Sequence, residues 1–432
     1  MKRYLLFLVL LPVLFLSSCK KEEEEPFVPP TDDEVARNEL YNVMNAYYLW
    51  YKLMPKVDKT TYPGPRELLA AMRYKELDRW SFVQDYDDYL KQSQAIFVGH
   101  GIRIGLDINN KTRIAQIYNS SPMYALGVRR GWIIKKLNDT ELAPIFIAGD
   151  GDAYYNLIGP STAGITNKFL FQTPEGKDST ITTTKAQFTV NLVIHYDTLH
   201  LKTGITGHLV YEQFEQPSNA ELETAFSFFK ANNINNIIVD LRYNGGGDIT
   251  VLQNLAAYIG GSSKFGKPFI TFTHNDQQTS RNKTYNFGTV TSPVSIGKMI
   301  VITTRSTASA SEQLINGLKP FIEIKTVGDT TNGKPVGMYA FQYLKKYIFW
   351  PISFEILNTA GVGDFYDGFI PEKYVPDDIT RDWGDRNEAC LKEAIYLLEN
   401  GSVSAKSQYS YHRSVQFSEG PERLNNAYFI EK

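Results

Sequence analysis

Two short stretches hold the residue types from which a hydrolytic site could be assembled. The first, "TTRSTASASEQ" (303–313), places three serines and a threonine between the apolar run "MIVITT" and the helical face Leu314, Ile315 and Leu318. Serines that open a helix are usually caps. This many small side chains would also let one hydroxyl and one backbone N–H approach a bound group closely. The second stretch is "DLRYNGGGD" (240–248). Three consecutive glycines after an apolar strand leave backbone N–H groups unobstructed, as an oxyanion would need. Taken singly, each stretch also suits a plain cap or a plain turn. Their pairing at equivalent strand ends is the stronger signal.

The elements around them are an alternation of strands and helices. "GHLVYEQF", "INNIIVDLR", "KMIVITT" and "EIKTVGD" read as strands, and "SNAELETAFSFFKANN" and "DITVLQNLAAYIGG" as helices between them. The first of these helices opens with a capping-box spacing, Ser218 to Glu221, and lines up Leu222, Ala225, Phe226 and Phe229. Such alternation predicts an α/β sheet with parallel pairs, its reactive centre where strands end and helices begin. Upstream, "EVARNELYNVMNAYYLWYKLMP" and "PRELLAAMRYKELDRW" have helical periodicity and predict an all-helical module. From about residue 95 the pattern alternates and breaks at Gly and Asn, as strands do. Asp150 and Asp152 in "AGDGDAY" lack a third carboxylate at loop spacing, so a solvated turn is favoured over a cation site.

The chain begins with Lys2 and Arg3, an apolar run from Tyr4 to Leu16, and "LSSC". That layout is a secretory leader, and the run is too short to span a bilayer comfortably. "LSSC" resembles the lipobox of bacterial lipoproteins, which implies cleavage after residue 18 and lipidation of Cys19. "KKEEEE" after it resembles surface-export tags. The implied location is the bacterial outer membrane, periplasmic or surface-exposed. Without the leader, 43 basic residues face 47 acidic ones, which gives no bias towards nucleic acid. Cys390 is the only other cysteine, so neither an intrachain disulfide framework nor a cysteine metal site is expected, and no metal or cofactor is called for. With 27 Tyr and 25 Phe the chain has the aromatic content of a packed globular protein rather than a disordered one.

"FVGHGIRIGLDINN" with "SPMYALGVRRGWIIKKLND" resembles a PDZ domain of the bacterial protease type. The resemblance puts Gly99, His100, Gly101 and Ile102 at the loop that holds a peptide carboxylate, with Trp132 where the pattern has Asp. "DLRYNGGG", "STASASEQ", "TTNGKPVG" and "YDGFIPE" together resemble the C-terminal processing peptidases, also called tail-specific proteases, over about residues 95–400. That resemblance implies a crotonase-like α/β catalytic domain and a Ser/Lys dyad, with Ser309 as nucleophile and Lys334, 25 positions on, as base. It also implies an oxyanion hole from Gly245, Gly246 and the amide of Ala310, an acyl-enzyme, and polypeptide substrates held through C-terminal tails. The expected organisation is α+β and multidomain: leader 1–18, lipidated tether 19–32, helical module 33–92, PDZ-like domain 93–200, catalytic domain 201–400 and tail 401–432.

A lysine acts as base only when neutral, so Lys334 must have a pKa brought down from about 10.4 by burial. The rival spacing "SIGK" (295–298) precedes a strand instead of opening a helix, and is set aside. Many members of the resembled family carry a glutamine four residues after the lysine, and here that position is Met338. Gln342 shares its strand face but lies roughly 13 Å from it. Two readings follow: a serine endopeptidase acting on exported proteins, or a catalytically weak lipoprotein receptor for peptide tails. Ser309, Lys334 and the glycines favour the first, Met338 and Trp132 the second.

Overall fold

In the computed structural model, which describes residues 29–405 and 416–418, the apolar runs become the centre of a six-stranded sheet. The expected leader and Cys19 lie outside the described residues. The strand order is Val193–Leu201, Gly204–Tyr211, Asn236–Asp240, Lys298–Thr303, Glu323–Gly328 and Lys373–Tyr374. The first pair is antiparallel and every later pair parallel. Both faces are covered, so the strands need no polar alternation. Ile237, Val239, Met299 and Val301 pack under the helices Ser218–Ala231, Ile249–Gly260 and Ala310–Leu318. Ile238, Ile300 and Ile302 face the helix Ala389–Asn400 on the other side. The loops after Asp240, Thr303 and Gly328 therefore leave one edge of the sheet side by side. They carry the glycine run, the serine-rich turn and Lys334.

The helix Ser218–Ala231 buries Leu222, Ala225, Phe226 and Phe229 as its periodicity requires. Its start differs from the capping box expected. Ser218 Oγ donates to the Glu215 carbonyl, and Glu221 instead accepts from the amides of Leu192 and Val193 at 2.8 and 2.6 Å.

A second sheet contains Ile102–Leu106, Thr112–Ile117, Ile133–Leu137, Thr166–Gln172 and Asp178–Thr184. The helices Ala143–Ala148 and Gly151–Ile158 close its core of Ile104, Ile114, Leu137, Phe146, Tyr154 and Phe169. Asp150 caps the second of these helices by accepting from the Ala153 amide. This β module ends earlier than residue 200, because Val193–Leu201 is already the outer strand of the six-stranded sheet. Gln416–Ser418, from the expected tail, pairs with Ile102–Leu106.

The front of the chain is not purely helical. The helices Asp32–Tyr47 and Pro65–Met72 form, but the second stops eight residues short of Trp80, where Arg73 turns extended (φ −55°, ψ 136°). Phe82–Asp85 is a strand paired with Tyr347–Trp350. Leu40, Trp50, Leu69 and Trp80 share one core with Val336, Phe349 and Ile352. The expected module 33–92 is thus built into the sheet region. No helix among the described residues is long and apolar enough to cross a membrane.

Candidate active site

Ser309 stands immediately before the helix Ala310–Leu318, at φ +56° and ψ −116°. A residue with a side chain is strained in that region, at a cost of order 1–3 kcal/mol, and the strain persists only when surroundings over-determine it. Here they do. Asn332 donates its amide to the Thr307 carbonyl, Ala308 donates its amide to the Asn244 carbonyl at 3.1 Å, and Ser311 Oγ donates to the same carbonyl at 3.0 Å. Gly246, at φ +105°, lies so near that a Cβ on it would sit 2.8 Å from both Ser309 Cβ and Ala310 N. Ser309 itself is half-buried among buried neighbours, so its hydroxyl can be approached from one side.

One side chain ties this turn to the lysine loop. Glu312, fully buried, accepts from the amides of Ser309 (3.0 Å) and Lys334 (2.8 Å) through the same oxygen, Oε2. Its other oxygen accepts from the Gly333 amide and the Thr331 hydroxyl, both at 2.6 Å. The two amide nitrogens can therefore be no further apart than those two bonds laid end to end. Burial pushes the Glu312 carboxyl up, and the four donors oppose that by favouring the carboxylate.

Lys334 is buried, and burial brings its amine down to about 8, the carboxylates of Asp78 and Glu312 opposing the shift. The amine has Met338 Sδ at 3.9 Å, a weak acceptor in the place of the glutamine. Asn332, the other side chain that could have oriented the amine, has its Oδ1 engaged by Trp80 Nε1 at 2.9 Å. The lysine loop is gripped from the front of the chain. Arg79 Nη2 donates to the Asn332, Gly333 and Tyr366 carbonyls, while Asp78 accepts from the Trp80 and Ser81 amides. From the other side, "YDGFIPE" closes on it: Phe369 donates its amide to Thr331 Oγ1 at 2.8 Å, and the Tyr366 carbonyl would lie 2.1 Å from a Cβ on Gly333.

The glycine loop is anchored by Arg242, buried against Asp240, Asp377 and Glu388 at 2.7, 2.8 and 3.0 Å. Of the three expected oxyanion donors, Gly246 needs correction. Its amide donates to Asn244 Oδ1 at 2.9 Å, so its contribution is the close approach to Ser309. Gly245, with open space where a Cβ would stand, and Ala310, at the first helical position, have amides that meet no acceptor among the described residues. Asn244, Glu312 and the Asp78–Trp80 clamp were missed in the sequence. Only Glu312 had a local signal, the Ser-x-x-Glu spacing.

The loop Gly99–Ile102 also needs correction. All four residues are buried. His100 fills the core edge-on to Phe169, with Nε2 2.7 Å from Asn167 Oδ1, and burial brings its pKa down to about 4. A Cβ on Gly101 would lie 2.1 Å from Ser121 Cβ. The loop is closed by packing and offers no open cradle for a carboxylate. Trp132 packs edge-on against Phe171. The rival Lys298 lies on a strand, paired with Glu323 at 3.1 Å. Away from these loops, Asp197 has the rings of His195 and His208 beside its two oxygens at 3.5 and 3.2 Å, the second of these contacts being a hydrogen bond.

Two family models match the chain: peptidase family S41 over residues 205–349 and the peptidase S41 N-terminal domain over 36–82. The chain carries the domains of peptidase family S41. That makes it a serine-type peptidase by family, and the second match ends beside the Asp78–Trp80 clamp. Among solved structures, a candidate S41 protease from Bacteroides fragilis is 20% identical, with TM-score 0.71, covering 88% of this chain and 100% of that one. It shares the fold. The photosystem II D1 C-terminal processing protease is 19% identical over 80% of this chain and 94% of its own, at TM-score 0.48. No curated protein matches the chain.

Proposed function

We propose that the protein is a serine endopeptidase of the C-terminal processing type, acting on exported polypeptides through Ser309 and Lys334. The carrying observation is the buried Glu312 carboxylate, which holds the backbone of both residues in one place. In this reading neutral Lys334 takes the Ser309 proton, and Oγ attacks the scissile carbonyl carbon. The amides of Gly245 and Ala310 receive the oxyanion, in positions set before the reaction begins. The Lys334 ammonium then returns the proton to the leaving amine, which frees an acyl-enzyme. Water, deprotonated by Lys334, then attacks the acyl carbonyl carbon, the bond to Ser309 Oγ breaks as Lys334 returns the proton to Oγ, and the product leaves as its carboxylic acid. The β module, PDZ-like in sequence, presents the polypeptide, and a lipid on Cys19 holds the protein at the outer membrane.

A purified chain starting near residue 30 should cleave an unfolded protein, and its Ser309→Ala twin should not. Equal cleavage by both would remove the assignment. The receptor reading keeps one observation in its favour, the thioether of Met338 where an amide would hold the amine more firmly. Peptide binding without any cleavage by the parent chain would select it.

A further inference from the structure

The strand Ile102–Leu106 would be an edge of its sheet but for three residues from the far end of the chain. Gln416–Ser418 pairs with it antiparallel, placing Gln416 opposite Gly105, Phe417 opposite Ile104 and Ser418 opposite Arg103. The contact is built as a ligand contact. Phe417 enters the space between this strand and the two helices of the β module, stacked on Tyr154 (5.4 Å, 18°) and edge-on to Phe146 (4.7 Å). The ring also lies against Gly151, where a Cβ would be in ordinary contact with it, 3.4 Å from Phe417 Cε1. Gln416 Nε2 donates to Asp377 Oδ2 at 2.8 Å, and so touches the cluster that holds Arg242. Backbone pairing along an exposed edge, with pockets for particular side chains, is how a sheet takes up an extended peptide. Chain continues past Ser418, so the segment held here is an internal one, with no terminal carboxylate.

The PDZ resemblance already implies a peptide groove along Ile102–Leu106; we infer that Gln416–Ser418 is its resident occupant, which an incoming internal segment bearing an aromatic residue must displace. The aromatic walls of Phe146 and Tyr154 select a ring over an aliphatic chain. Only ten residues separate Ala405 from Gln416, so the tail competes from a high effective concentration. The inference rests on reading the β module as the part that binds peptides.

The test measures binding without hydrolysis, in a Ser309→Ala background. The probe is a fluorescein-labelled peptide copying residues 411–420, followed by anisotropy. Adding Phe417→Asp should release the tail and tighten probe binding by at least about tenfold. Phe417→Ala should do so to a lesser degree, and a probe with Ala in place of Phe should lose the gain. Amide exchange at Arg103–Gly105 should quicken in the Phe417→Asp protein. Equal probe affinity with and without Phe417→Asp, including no binding in either, overturns the inference, as does unchanged exchange. Because Ser309→Ala proteins are used throughout, failure of the parent chain to cleave would count against the peptidase reading alone.

Discussion

Two glycine-bearing loops in this molecule look alike in sequence and have opposite uses. Gly246 and Gly101 both have positive φ, +105° and +77°, and both sit where an added Cβ would collide with a serine. At Gly246 the collision is with Ser309, a half-exposed, strained residue at the head of a helix. At Gly101 it is with Ser121, a buried residue that caps the short helix Pro122–Ala125. A glycine in a turn reports that something comes close. It does not report whether the neighbour is a reacting group or the core.

That difference can be broken by substitution. Gly246→Ala should lower kcat/KM by about 10²-fold or more, since small displacements of reacting groups are that costly. Gly101→Ala should instead lower stability by about 2–3 kcal/mol, through strain and overpacking, and leave cleavage of a short peptide by the folded protein unchanged. Thermal melts and steady-state rates on the two variants check both statements. The reverse pattern would mean that the β-module loop serves the reaction directly.

Glu312→Gln should act on both properties. Each carboxylate oxygen accepts two of the four donors and an amide nitrogen accepts none, so two donors are left buried without their partner, at about 1–3 kcal/mol each. Rates should fall by about 10- to 100-fold with KM little changed, because the carboxylate touches no substrate and only positions Ser309 and Lys334. A fall in stability with full activity would reduce Glu312 to a structural cap.

Met338→Gln has a smaller expected effect, within about tenfold, because the loop around Lys334 is already held by Glu312, Arg79 and Trp80. A larger gain in turnover would show that the missing amide limits the enzyme. The smallest expected effect is at the closed Gly99–Ile102 loop. Free-acid and amidated copies of one aromatic peptide should bind with affinities equal to within about twofold, since no open donor set awaits a carboxylate there. Competition binding to the Phe417→Asp, Ser309→Ala protein measures it, and a strong preference for the free acid would reopen the loop as a site.

What could be read from sequence followed range. The parallel strands, the serine turn and the glycine run are local patterns, so their residues could be named from composition and spacing alone. Lys334 came only through resemblance, because nothing local distinguishes it from a surface lysine. The Asp78–Trp80 clamp was invisible for a different reason: helical periodicity runs on through "RYKELDRW", and its partners at Asn332 and Gly333 lie about 250 positions away. The strand Phe82–Asp85 likewise depends on Tyr347–Trp350 for its existence. The antiparallel start of the six-stranded sheet lay in a segment without clear alternation, and Gln416–Ser418 is too short to show any period.

If a buried, neutral Lys334 drives Ser309, the pH dependence of kcat/KM must follow the titration of that amine. Burial favours the neutral amine, so the base form grows as pH rises through the folded-state pKa of about 8. The rate should climb along a single limb centred near 8, two units or more below an ordinary lysine. Lys334→Arg should remove the limb together with the activity, since guanidinium stays protonated. A limb centred near 10.4, or cleavage that survives in Lys334→Arg with the same profile, would rule out Lys334 as the base.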